Sequence, residues 1–319
     1  MTGTVATVGT FDGIHRGHQA VLAELVRRAR SQGEGQGARG RGVGTSLLIT
    51  FDPHPLEVVN PSAAPRLLTL PDEKRVLAAA LGVERVEVVP FTPELARLGP
   101  EEFVRDVLRA RFGMQELVLG YDHGFGRGRS GDVELVRRLA REDGFVMDVV
   151  PAVKDDGQPI SSSLIRTAVA HGDLEFAERG LGRAYSVRGR VERGAGRGRT
   201  IGVPTINLAS PDPRKLMPPD GVYAVRVILS GKGGAGRGGE AAPGERYGGM
   251  MNQGPRPTFG VHARGLEIHL FEFSGDLYDQ VVTVEWVRRL RDTQTFPSRQ
   301  ALIDQIERDA VAARTILKG

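Results

Sequence analysis

Val8-Gly9-Thr10-Phe11-Asp12-Gly13-Ile14-His15-Arg16-Gly17-His18 is the stretch whose reading decides the fold of this 319-residue chain. An apolar run, Val5 to Val8, precedes it and predicts a first strand. A helical pattern follows it, with Val21, Leu22, Leu25 and Val26 on one face. Strand, glycine-rich turn and helix start together make a place for phosphate, because unpaired backbone N–H groups and the helix dipole both favour an anion there. His15 and His18, three residues apart, fall on the same side of the turn or first helical turn. Imidazoles so placed donate to phosphate oxygens without a metal. The alternative is that they only cap the helix.

Outward from this stretch, short apolar segments alternate with helical ones. Ser46 to Phe51 reads as a strand ended by Phe51-Asp52-Pro53-His54-Pro55, where the two prolines are expected to forbid strand and helix alike. Pro71 to Leu81 reads as a helix, Arg85 to Val89 as a strand, and Pro100 to Phe112 as a helix with Glu101 and Glu102 near its start. Glu116 to Leu119 and Val146 to Val150 are further strands. Alternation of this kind predicts right-handed βαβ units and a parallel sheet covered on both faces, with ligands at the carboxyl ends of its strands. Ser31 to Gly44 has nothing to bury and reads as a surface loop.

Two more segments carry phosphate-binding chemistry. Gly120 to Asp132 contains four further glycines after Gly120, which let a backbone approach a ligand closely. Ile160-Ser161-Ser162-Ser163-Leu164-Ile165-Arg166 opens a helix: its serines either cap it or, with Arg166 one turn in, bind polyphosphate. Leu174 to Leu181 closes the α/β half.

From Tyr185 the period changes to alternation. Ser186–Glu192, Val222–Leu229, Tyr247–Asn252, Leu266–Phe273 and Val281–Arg289 read as strands of a compact antiparallel barrel, and Ser298 as the cap of a closing amphipathic helix with Leu302, Ile303, Ile306 and Val311. Gly231 to Gly244 reads as a hairpin tip. The domain break falls near Arg183, giving domains 1–183 and 184–319. Within the second, Gly198-Arg199-Thr200-Ile201-Gly202-Val203-Pro204-Thr205-Ile206-Asn207 projects a hydroxyl and a carboxamide oxygen the same way from alternate positions. Both are hard ligands suited to Mg²⁺, and Gly198 and Gly202 let backbone fold over phosphates. On its strand Glu267 shares a face with His269, opposite Leu266, Ile268 and Leu270.

Composition narrows the class. The chain is 40% apolar and 26% charged. It has no cysteine, which excludes a disulfide framework, a thiolate metal site and a cysteine nucleophile. The first basic residue is Arg16, and no apolar run nears the ~20 residues of a membrane helix, so a cytoplasmic protein is expected. The net charge is +4 and the pI 9.6. Only five of its 43 basic residues are lysine. The arginines, among them Arg27, Arg28, Arg30, Arg137, Arg138 and Arg141, mix with acids as solvated faces do. Polyanionic small molecules such as ATP suffice as partners; neither nucleic acid nor membrane is expected, and the state expected is a monomer or weak homo-oligomer.

Gly-x-Phe-Asp-Gly-x-His-x-Gly-His resembles the signature of the adenylyltransferase half of bacterial bifunctional riboflavin kinase/FMN adenylyltransferases (FAD synthetases). The resemblance extends to Phe51–Pro55, which lies near the active site in that family. It includes Asp122, Phe125, Gly126, Arg129 and Gly131, with His123 where an aromatic is usual. It includes the serine motif, with Ser163 for threonine. In the second half it takes in Gly202-Val203-Pro204-Thr205-Ile206-Asn207, with Ile206 for alanine, and Asn252-x-Gly254-x-Arg256-Pro257-Thr258-Phe259-Gly260. It ends with Glu267-x-His269 and Asp276-Leu277-Tyr278-Asp279, where Asp279 replaces glycine.

That family implies a Rossmann-like nucleotidyltransferase domain followed by a riboflavin kinase-like barrel, with Mg²⁺ as cofactor, ATP as co-substrate, and riboflavin, FMN and FAD as substrates or products. Gly9, Phe11, Asp12, His15, His18, Asp122, Arg129, Ser161, Ser162, Ser163 and Arg166 would hold the nucleotide in the first domain, and Gly198 and Gly202 in the second. Thr205 and Asn207 would hold the metal, Phe125, Asn252 and Arg256 the flavin. Glu267 would be the base. Three other readings are an enzyme with one degenerate half, a different adenylyltransferase carrying a barrel accessory, and a non-enzymatic flavin- or RNA-binding module. The intact motifs, the Thr205/Asn207/Glu267 set and the scattered arginines weigh against them in turn.

Overall fold

Five parallel strands carry the N-terminal half of the computed structural model: β1 (Thr4–Val8), β2 (Thr45–Asp52), β3 (Arg85–Pro90), β4 (Met114–Gly120) and β5 (Val146–Val150). The residues described are 3–31, 44–121, 124, 126, 131–193, 203–209, 211–229, 244–255 and 264–318. The strands lie in the order β3-β2-β1-β4-β5. The chain moves from β1 to β2 to β3 and then crosses back past β1 to β4, so the order reverses between β1 and β4. A switch of this kind, outside the carboxyl ends of the neighbouring strands, is where open α/β sheets bind ligands. The loop after β1 begins with Gly9 and the loop after β4 with Tyr121.

Helices α1 (Arg16–Ser31), α2 (Pro55–Val59), α3 (Pro71–Ala80), α4 (Pro93–Arg97), α5 (Pro100–Glu102, continuing in wider π turns to Arg111), α6 (Val133–Asp143), α7 (Ser162–His171) and α8 (Leu174–Leu181) connect and follow the strands. One face of the sheet packs Val5, Leu48 and Val118 against Val21, Leu22, Leu25 and Val26 of α1. The other packs Ala6, Val8, Leu47, Ile49, Leu117 and Leu119 against Phe103, Val104, Val107 and Leu108, and against Val136 and Leu139 of α6. With each buried aliphatic side chain stabilising by about 1.5–3 kcal/mol, the two layers fix the sheet, and the helical period in the sequence chooses which residues supply them.

The prolines after β2 behave differently from expectation. They end the strand, but Pro55 starts α2 at its first position, where a missing N–H costs nothing, and His54 caps it by accepting from the Leu56 N–H at 3.2 Å. Arg28 is no solvated charge either. It bridges Glu24 (2.6 Å) and Asp148 (2.6 Å) and also pairs with Glu116, so it ties α1 to β4 and β5. The arginines hold Glu24 down at about pKa 2, chiefly through its hydrogen bond with Arg27.

In the C-terminal half, β8 (Tyr185–Glu192), β9 (Ile206–Leu208), β10 (Gly221–Leu229), β11 (Arg246–Pro255), β12 (Arg264–Leu270) and β13 (Val281–Arg291) close an antiparallel barrel in the order β10-β11-β12-β9-β8-β13. A two-stranded hairpin, β6 (Lys154–Asp155) with β7 (Gln158–Pro159), precedes α7. The barrel is filled by Val187, Tyr223, Val225, Met251, Leu266, Ile268, Val284 and Trp286, all buried. Gln253, fully buried, accepts from the Trp286 indole at 3.1 Å and donates to the Pro218 carbonyl at 2.7 Å. A last helix, α9 (Arg299–Lys318), packs Ile306, Ala310, Ala313 and Leu317 against Ala224 and Met250 outside the barrel. Val311, expected on that face, is 66% exposed: Ala310 and Ala313, on either side of it in sequence, take the buried stripe. The strand expected to reach Phe273 ends at Leu270, where Glu272 turns the chain at φ +56°. Asp279, where glycine is usual, sits at φ +62°; aspartate is among the few side chains that tolerate that region. The chain divides into two compact units, Met1–Ile165 and Arg166–Gly319.

Gly189 on β8 faces Leu208 of β9 so closely that an added Cβ would come within 2.8 Å of Leu208 Cγ. Gly189→Ala is expected to destabilise the barrel by about 1–3 kcal/mol in thermal or urea unfolding. In the background Leu208→Ala the same substitution should cost far less, since the clash is gone. Additive losses would contradict this packing.

Candidate active sites

The loop after β1 is bent by three successive departures into left-handed backbone: Phe11 at φ +45°, Gly13 at +85° and Ile14 at +38°. Two of these are bulky residues, a conformation that costs of order 1–3 kcal/mol each and persists only when the surroundings enforce it. The enforcing contacts come from the segment before α3. The Asp12 carboxylate, 1% exposed, accepts from the Leu68 N–H at 3.0 Å and from the Thr69 N–H at 2.9 Å. Thr69 Oγ1 accepts from the Gly13 N–H at 2.9 Å. Lys74 Nζ, from α3, donates to the Thr10 carbonyl at 2.6 Å and to Thr50 Oγ1 at 3.0 Å, and the Thr50 hydroxyl donates to the same carbonyl at 3.0 Å.

His15 is the residue before α1 and caps it: its Nδ1 accepts from the His18 N–H at 3.3 Å. An accepting Nδ1 places the proton of the neutral ring on Nε2, which is then a donor. The His15 and His18 rings stack at 3.6 Å, and Phe11 lies 4.8 Å from His18. Gly17 lies between them, where a Cβ would crowd the His15 ring at 3.1 Å. Capping and ligand binding are therefore compatible roles for one imidazole. The Ser162 hydroxyl donates to the Asp12 carbonyl at 2.8 Å, joining the start of α7 to the loop across 150 residues of sequence. Ser161 Oγ accepts from the Leu164 N–H at 3.3 Å and so caps α7, while Ser163 is exposed on its first turn and Arg166 follows on the same helix. Gly9 continues β1 by donating to the Ile49 carbonyl. The site thus gathers Gly9, Phe11, Asp12, His15, His18 and Ser162. Asp122, Phe125 and Arg129 lie outside the described residues.

In the barrel, Thr205 Oγ1 donates to Glu267 Oε1 at 2.7 Å, and His269 Nδ1 lies 2.8 Å from the Pro204 carbonyl. Register sets the rest: Asn207 of β9 pairs with Glu267 of β12, which pairs with Asn252 of β11. These three side chains form one row on the outer face, while Ile206 pairs with Ile268 on the other. With Thr205 beside it, the row offers a carboxylate, a hydroxyl and two carboxamides, all oxygen donors of the kind Mg²⁺ takes. Gly198, Gly202 and Arg256 lie outside the described residues.

Sequence reasoning missed Lys74 and Thr69. Nothing local marks Lys74 as inward-facing, and its contact with Thr10 spans 64 residues. Burial pushes its pKa down from 10.5 to about 8, against the opposing pull of Asp12 and Asp52.

Residues 1–164 match the family model for FAD synthetase, and residues 181–317 that for riboflavin kinase. The bifunctional riboflavin kinase/FMN adenylyltransferase of Pseudomonas fluorescens is 37% identical, over 98% of this chain and 93% of its own. The enzyme of the same name from Bacillus subtilis is 33% identical, over 96% and 90%. A crystal structure named as a macrolide-efflux protein from Streptococcus pneumoniae superposes with a TM-score of 0.80 at 30% identity, covering 98% of this chain and 94% of that one. Among the described residues, no helix here is long and apolar enough to cross a membrane.

Because the Lys74 pKa is lower folded than unfolded, the unfolded chain binds the extra proton between pH 8 and 10.5, and stability rises with pH across that window. The rise attributable to this group is roughly 3 kcal/mol. Unfolding of wild type and Lys74→Met, compared at pH 7.5 and 10, should show the variant lacking this increment. Parallel pH dependence would contradict the buried charge.

Proposed function

Because the chain belongs to the bifunctional riboflavin kinase/FMN adenylyltransferase family, we propose that it makes FMN and then FAD, with 1–183 and 184–319 as its two functional domains. The observation that carries this is that both halves hold a shaped, chemically suitable site in one chain: the bent Gly9–His18 loop with the serine-capped helix, and the Asn207–Glu267–Asn252 row with Thr205.

In the barrel, Glu267 accepts the proton of the terminal ribityl hydroxyl of riboflavin as that oxygen bonds to the γ-phosphorus of ATP and ADP leaves. Thr205 and Asn207 would hold Mg²⁺, which supplies neutralisation of phosphate charge. The 2.7 Å contact of Thr205 with Glu267 supports placing the base beside the metal site. Asn252 and Arg256 hold the flavin, and Gly198 and Gly202 let backbone approach the phosphates.

In the α/β half, an oxygen of the FMN phosphate attacks the α-phosphorus of a second ATP and pyrophosphate leaves. A phosphate is already an adequate nucleophile, so positioning and charge stabilisation are what the protein provides. His15, with its proton on Nε2, and His18 donate to phosphate oxygens; Ser161, Ser162, Ser163 and Arg166 complete the anion site at the α7 start. Asp12 acts from beneath, shaping the loop. Asp122, Arg129 and Phe125 contribute as well. The substrates are small molecules, and a cytoplasmic monomer or weak homo-oligomer without nucleic acid is the working state we assign.

Incubation with riboflavin, ATP and Mg²⁺, followed by chromatography of the flavins, tests this. FMN should precede FAD. Glu267→Gln should lower FMN formation about 10²–10⁴-fold while still converting added FMN to FAD. His15→Ala/His18→Ala should lower only FAD formation, by at least about 10²-fold. Asn207→Ala should raise the Mg²⁺ concentration needed for FMN formation. No new flavin from the wild type would overturn the reading.

A further inference from the structure

Lys74 is almost fully buried, yet no described carboxylate oxygen lies within ion-pair distance of its ammonium. Its two partners are neutral oxygens, the Thr10 carbonyl and Thr50 Oγ1. A charge kept in such a place is costly unless it holds something that matters. What it holds is one peptide plane. The Thr10 carbonyl receives two donors, Lys74 of α3 at 2.6 Å and Thr50 of β2 at 3.0 Å. Among the described residues the only cis peptide is Asp52–Pro53, so the Thr10–Phe11 peptide is trans. In a trans peptide the C=O and the following N–H point in opposite directions. Anchoring the Thr10 oxygen on Lys74 and Thr50 therefore aims the Phe11 N–H away from those two groups; the Phe11 ring lies 4.8 Å from that of His18, which stacks on His15. No described group accepts a hydrogen bond from that N–H. Phe11 itself sits at φ +45°.

We propose that Lys74 is a positioning residue for adenylyl transfer: by pinning the Thr10 carbonyl it presents the Phe11 N–H to a phosphate oxygen of ATP. The inference rests on assigning adenylyl transfer to the α/β half. Asp12 and Thr69 fix the other end of the same loop, so the segment 67–74 works as a base plate from which the loop's shape is set. Met in place of Lys74 removes both the donor and the buried charge while roughly keeping the volume, and leaves the Thr50 hydroxyl bond to hold the fold.

The test uses the full chain labelled with ¹⁵N-phenylalanine, the Phe11 amide being assigned with Phe11→Tyr, and ATP as the probe. In wild type the Phe11 amide should move downfield on ATP addition. In Lys74→Met that response should be lost, and kcat for converting FMN to FAD should fall by about 10²-fold, the effect of losing one such donor. Lys74→Arg should recover most of both, and riboflavin phosphorylation should stay within about twofold in all variants. Thr50→Val, acting on the same carbonyl, should lower the same kcat less, and the double variant, which loses both anchors, should be at least as impaired as Lys74→Met. If Lys74→Met proves misfolded, Thr50→Val decides alone: an unchanged Phe11 response and kcat there would overturn the proposal. So would a wild-type Phe11 amide indifferent to ATP, or a Lys74→Met chain behaving as wild type. Wild type that shifts Phe11 with ATP but forms no FAD from FMN would contradict the parent assignment and leave the clamp standing.

Discussion

The Asp12 carboxylate bonded to the Leu68 and Thr69 backbone is the contact on which the N-terminal site depends. Two segments 56 residues apart meet there, and each solves the other's problem. The loop after β1 needs outside support to keep Phe11, Gly13 and Ile14 at positive φ; the segment before α3 has N–H groups that need an acceptor. Burial makes the arrangement decisive, because breaking it would strand a carboxylate and two donors away from water. Lys74 of α3 and Thr50 of β2 complete it at the Thr10 carbonyl. Sheet order then places the assembled loop at the switch between β1 and β4.

The barrel uses a different device for a similar end. There no long loop has to be held in an unusual shape among the described residues. Cross-strand register alone sets Asn207, Glu267 and Asn252 side by side, and alternation keeps Leu266 and Ile268 in the core behind them. One chain thus builds one candidate site from a bent loop and another from regular strands.

Much of this was legible in the sequence, for identifiable reasons. The strands and helices announced themselves through period, and Leu174–Leu181 and Val146–Val150 fell where the pattern put them. The histidine pair, the serine-capped helix and the Thr205-x-Asn207 segment were readable because each is local: its chemistry sits within one turn or one extended stretch. Contacts distant in sequence were not readable. Lys74 looks like any lysine in a helix's first turn until Thr10 is placed beside it. Arg28 looks like a solvated charge until Glu116 and Asp148 arrive on β4 and β5. Pro55 misled because the proline rule against helices stops at the first helical position. Val311 misled because alanines too small to register as strongly apolar form the stripe of α9 that is buried.

The central claim is that one polypeptide holds two chemically independent sites linked by FMN. Mixing two full-length variants, each aimed at one of the two sites, tests it most directly: Glu267→Gln, at the proposed kinase base, and His15→Ala/His18→Ala, at the proposed adenylyl-transfer histidines. Supplied with riboflavin, ATP and Mg²⁺, neither alone should form FAD, and the mixture should, after a lag set by accumulation of free FMN. A mixture that forms FMN but no FAD would contradict the claim that the two sites work independently.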